Sequence, residues 1–131
     1  MLPAPLVSEL DRLGLEFLAE ILTREVRRRP ANLDALSDLG HLLTRLDRHA
    51  EALAVDRELV RRSPECDTAR YNLACSLALT GATDQALATL AEAVALGYSD
   101  GEGMALDPDL AALRDLPDFR VLVERLRVQG S

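Results

Sequence analysis

Hydrophobic residues recur along most of this chain with helical spacing. In SELDRLGLEFLAEILTREVRR, Leu10, Leu13, Phe17, Leu18, Ile21, Leu22 and Val26 form one stripe, which predicts an N-terminal helix over about residues 7–29. Leu2 to Pro5 reads as an irregular lead-in because two prolines fall there. Gly14 interrupts the stripe at a cost of about 1 kcal/mol relative to Ala, so one helix, a kinked helix and two short helices all remain open.

The next stretch repeats itself. Pro30, Pro64 and Tyr98 are evenly spaced along the chain. Superposing residues 31–64 on 65–98 places Leu39-Gly40 on Leu73-Ala74, Leu43 on Leu77, Ala52-Leu53 on Ala86-Leu87, and Leu59-Val60 on Ala93-Val94. The i, i+3, i+4, i+7 spacing within each copy predicts helices near 33–46, 48–62, 67–80 and 83–96. Asn32 and Asp47 are candidate N-caps and Gly97 a C-terminal stop. Leu46-Asp47-Arg48 and Thr80-Gly81-Ala82 are short enough to require antiparallel hairpins. Gly40, Ala52, Ala74 and Ala86 are small where helices would cross.

Beyond the second copy, Tyr98 to Gly103 reads as a polar, glycine-rich loop. Its acids lack the spacing and closing Glu of a calcium loop. Asp107-Pro108 starts a short helix, Leu116-Pro117 breaks it, and DFRVLVERLRV presents Phe119, Leu122, Val123 and Leu126 on one face. Residues 104–128 thus form a capping segment, and the chain is a single all-α domain spanning residues 1–131.

The 34-residue period, with Leu36, Leu39-Gly40, Leu43, Ala52 and Pro64 in the first copy and Leu73, Ala74, Leu77, Ala86 and Leu90 in the second, resembles the tetratricopeptide repeat. The run from Gly97-Tyr98 through Asp107-Pro108 to Phe119 is similar to the segment that ends many short bacterial members. The resemblance implies a right-handed superhelical solenoid of two helix-hairpin units between an N-terminal helix and a C-terminal capping hairpin. It implies a concave groove lined by the first helix of each hairpin. The groove residues would be Ser37, His41, Thr44 and Arg45, then Tyr71, Asn72, Cys75 and Leu79. Asn72 is similar to the residue with which such domains hold a peptide backbone. Of the carboxylate clamp in chaperone-tail binders, only Asn72 and Arg45 have counterparts here.

Two slots depart from the family pattern. Asp56 and Arg70 stand where apolar or aromatic residues are usual. A buried, unpaired carboxylate would cost several kcal/mol, so Asp56 is expected to bond Arg70 or Tyr71 across the repeat junction and set the orientation of the second copy.

Composition narrows the function. Hydrophobic residues make up 48% of the chain, aromatics only 3%, and Ala and Leu dominate. A net charge of −7 argues against nucleic acid and anionic membranes as main partners. Arg27-Arg28-Arg29 and Arg61-Arg62 close predicted helices, where they complement the helix dipole; a local anion patch is the alternative. No run is long and apolar enough for a membrane span, and the N-terminus lacks a signal peptide's features, so a cytoplasmic location is expected.

No catalytic constellation stands out, and neither a metal nor any other cofactor is expected. His41 and His49 have no Cys or His at ligand spacing. Cys66 and Cys75 are too far apart along one helix for a disulfide. Cys75 lies one repeat after His41, which places them on neighbouring helices. A Cys75/His41-dependent enzyme is therefore the remote alternative. The favoured reading is a non-enzymatic interaction module that binds a peptide or protein surface. The second is a structural protein that self-associates, as a homodimer, through its terminal helices.

Overall fold

The computed structural model describes residues 3–129, leaving aside the Val7 side chain. They form α1 (Ala4–Arg28), α2 (Leu33–Arg45), α3 (His49–Arg62), α4 (Asp67–Leu79), α5 (Thr83–Ala95), α6 (Gly101–Leu106), a 3-10 helix (Pro108–Leu113) and α7 (Pro117–Gln129). No strand occurs among the described residues. Helices adjacent in sequence pack on one another: α1 on α2, α2 on α3, α3 on α4, α4 on α5. No described helix is long and apolar enough to cross a membrane.

α1 runs unbroken through Gly14, which resolves the open question about that segment. The sequence predicts one apolar stripe on α1, and the structure divides it between two faces. Ala19 is buried with partly buried Leu15, Leu22 and Val26 against α2 and α3, while Leu10, Leu13, Phe17, Leu18 and Ile21 are exposed. α1 therefore has two apolar faces, and among the described residues only one of them has a partner.

The two hairpins are in register. α2 and α4 start at Leu33 and Asp67, and α3 and α5 at His49 and Thr83, one full period apart in each case. Both turn in the same way. Arg48 N–H donates to Leu43 O at 2.9 Å and Ala82 N–H to Leu77 O at 2.9 Å, closing Schellman loops. The residue before each donor is left-handed: Asp47 at φ 58° and Gly81 at φ 86°. Asp47 is thus the turn residue and not the N-cap expected of it; Asp tolerates this conformation better than most side chains. Asn32 does cap α2, accepting from Ala35 N–H at 3.1 Å. The four small positions are buried where the helices cross: Gly40, Ala52, Ala74 and Ala86.

The register continues past Tyr98, where a loop was expected. α6 begins at Gly101, one period after the start of α4, and α7 at Pro117, one period after the start of α5. Asp100 caps α6 by accepting from Gly103 N–H at 2.8 Å. A third hairpin thus occupies the next slot, with its first helix broken. The break falls at Pro108, the position equivalent to Gly40 and Ala74. Proline lacks the N–H needed for the helical bond and forces the preceding residue out of the α region. Asp107 accordingly sits at φ −68°, ψ 116° and caps the 3-10 helix, accepting from Asp109 N–H at 3.0 Å. Met104, Leu110, Leu113, Phe119, Leu122, Val123 and Leu126 are buried with the apolar residues of α4 and α5.

Candidate functional site

Three elements open onto one depression of about 310 Å³. α2 contributes Gly40, His41, Thr44 and Arg45; α4 contributes Tyr71, Asn72, Cys75 and Ser76; and the broken helix contributes Asp107 and Asp109, with Asp56 of α3 at the base. Six of the eight groove residues named from the sequence come together here: His41, Thr44, Arg45, Tyr71, Asn72 and Cys75. Ser37 and Leu79, both half-buried, lie outside its lining.

Several of these side chains are engaged in the fold. Tyr71 is buried, stacked on Tyr98 with ring centroids 4.2 Å apart and planes within 5°, and donates its hydroxyl to Asp107 Oδ2 at 2.7 Å. Burial, then that bond to a carboxylate, hold the phenol well above its ordinary range. It forms a wall of the pocket. Cys75 Sγ lies 3.8 Å from the same Asp107 oxygen, and burial and Asp107 push the thiol up. Its surroundings favour the neutral thiol, the opposite of what an activated nucleophile needs. Asp109 is raised by burial and by Asp107, against the pull of His49 and His41.

The junction residues found other partners than expected. Asp56 is only 5% exposed and accepts from the Ser76 hydroxyl across the α3–α4 junction. Arg70 instead donates to Glu92 Oε2 at 2.8 Å and to Pro64 O at 2.9 Å. The reason is geometric. Asp56 points inward toward Gly40, where an added Cβ would lie 2.6 Å from its Oδ1, whereas Arg70 reaches outward along the α4–α5 hairpin. A hydroxyl is a weaker partner than a guanidinium, so burial dominates and the Asp56 carboxyl is raised, with Ser76 and then His41 pulling it back.

The remaining candidates are structural or on the surface. Cys66 accepts from Ala69 N–H at 3.4 Å as the cap of α4, and both cysteines are free. Arg61 and Arg62 both pair with Glu58, whose carboxyl they hold down at about 2.

Sequence reasoning missed the contribution of Asp107 and Asp109. Cys75 Sγ and a carboxylate oxygen of each lie within 4.8 Å of one another. A signal did exist: Asp109 follows Cys75 by one period, as Cys75 follows His41. One further step of the period leads from the second first-helix to the third. With three carboxylates against one arginine and one histidine, the depression is acidic. It can accept hydrogen bonds from a cationic group, and Asn72 can both donate and accept at its edge. No protein-family model matches the chain, and no curated protein matches it.

Proposed function

We propose that this chain is a small non-enzymatic protein-interaction module, a tetratricopeptide-like stack of helical hairpins. It binds a peptide or protein segment along the face formed by α2, α4 and the broken helix. The observation that carries the reading is the convergence in one depression of side chains from three successive first-helix slots, His41, Cys75 and Asp109 among them. Asp109 and Asp107 favour a ligand with a cationic side chain, and the Asn72 amide in the same lining, able to donate and accept, suits an extended peptide backbone. The raised thiol of Cys75 stands against the enzymatic alternative.

Selection from a phage-displayed random peptide library tests this. Wild-type protein should enrich peptides containing Lys or Arg. Asn72→Ala and Asp109→Asn should each weaken the selected peptides about tenfold or more, the cost of one lost charge-assisted or backbone hydrogen bond. Peptides without basic residues, or binding that ignores both variants, would place the ligand elsewhere.

A further inference from the structure

α1 is amphipathic twice over. Leu15, Ala19, Leu22 and Val26 face α2 and α3. On the opposite side Leu6, Leu10, Leu13, Phe17 and Ile21 face outward, with Leu13 55% and Phe17 65% exposed. These five follow one another at intervals of four, three, four and four, close to the seam of a helix that pairs with another helix. A helix apolar on opposite faces belongs between two layers, and the described residues supply one.

The charges along α1 say what fits the other side. Residues 4–20 carry four acids and one arginine, and residues 21–29 carry four arginines and one acid. Two such helices side by side and antiparallel, centred on Phe17, set each basic stretch, residues 21–29, against the partner's residues 5–13, which carry two acids and one arginine. Parallel pairing would set like against like. The same acidic half disfavours an anionic lipid surface.

We propose that the outward face of α1 is a homodimer interface, in which α1 packs antiparallel on α1 of a second copy with Phe17 near the two-fold axis. The stripe from Leu6 to Ile21 spans roughly 22 Å at a rise of about 1.5 Å per residue. Burying five half-exposed large side chains from each copy, with their flanks, removes on the order of 1,000 Å² in total, near the lower bound for specific interfaces. The expected dimer is therefore reversible, with a dissociation constant in the micromolar range.

Sedimentation equilibrium of the full chain across concentration provides the test. Wild type should move from monomer to dimer. Phe17→Asp should raise the dissociation constant at least about 100-fold, as loss of a central apolar anchor does. It should leave the helical circular dichroism and the melting temperature of dilute protein unchanged, because Phe17 is exposed in the single chain. Leu13→Asp serves as a second variant with the same expectation. Raising the salt should weaken the wild-type dimer. Wild type that stays monomeric to about 1 mM, far above the micromolar range, would overturn the proposal. So would a monomer whose α1 binds phosphatidylcholine vesicles, or a dimer indifferent to both variants. A dimer strengthened by salt would overturn the antiparallel arrangement.

Discussion

At the C-terminal end of the helix array, Met104, Leu110 and Leu113 are wholly buried, and Phe119, Leu122, Val123 and Leu126 nearly so. At the N-terminal end, α1 covers α2 with one face and leaves Leu6, Leu10, Leu13, Phe17 and Ile21 in solvent on the other. The difference follows from how each end is built. The third hairpin breaks at Pro108, and its two short pieces fold with α7 over the apolar side of α4 and α5. A single straight helix cannot do this. Whatever apolar surface it carries beyond the side that touches α2 must be met by another molecule or stay wet. The C-terminal end is thus packed over its apolar side, with scattered side chains such as Leu106, Val121 and Val128 exposed, whereas the N-terminal end keeps a continuous apolar stripe open.

Leucine truncation breaks this contrast most sharply. Leu113→Ala should destabilise the fold by about 2–5 kcal/mol, since it removes a fully buried side chain. Leu13→Ala in dilute protein should change stability by less than about 0.5 kcal/mol, the ordinary range for a surface position. Urea denaturation of both variants checks the pair, and equal losses would mean that the N-terminal face is already covered within one chain.

Adding a methyl group should give opposite signs at the two ends. A Cβ at Gly101 would lie 2.9 Å from Leu126 Cβ and 3.4 Å from the α7 backbone, so Gly101→Ala should cost about 1–3 kcal/mol by overpacking. Nothing lies within 4 Å of a Cβ at Gly14, so Gly14→Ala should stabilise dilute protein by up to about 1 kcal/mol through helix propensity. Melting temperatures moving in the same direction would contradict the contrast.

The smallest effect concerns the joint between the ends. Asp56 has a carboxyl raised above its ordinary value of 3.8 by burial. A raised carboxyl imposes no penalty below that ordinary value, where it is protonated folded and unfolded alike. Stability is lost as pH climbs from there through the folded value, and the loss persists at neutral pH. Asp56→Asn escapes this. Its stability relative to wild type should improve as pH climbs from about 4 through the folded value of Asp56, then level off. A pH-independent difference would mean that the Ser76 hydroxyl offsets the whole cost of burial.

Much of the fold was legible in the residues. The repeat period, the hairpin turns and the small positions at 40, 52, 74 and 86 all follow from repetition and spacing along the chain. The third hairpin was half legible. Its glycines and acids resemble punctuation, and only the cap at Asp100 and the buried Met104 reveal Gly101–Leu106 as a helix. Of the depression, six of eight named side chains met, because the same helix face returns with every repeat. In the sequence Asp107 marks the start of a short helix, which it does cap through Asp109 N–H. The role of Asp107 and Asp109 in the depression depends on where the break at Pro108 places them beside α4.

The sequence by itself determined the helices of the two repeat copies, their period and which positions had to be small, because these depend on neighbours within a few turns of the same chain. Only the tertiary structure decided that Asp56 meets Ser76 and Arg70 meets Glu92. It alone decided that Tyr71 spends its hydroxyl on Asp107, and which of the two apolar faces of α1 lies against the fold. These choices depend on side-chain reach and on the rotation of one helix against the next. The hydrophobic period restricts both without selecting a single outcome.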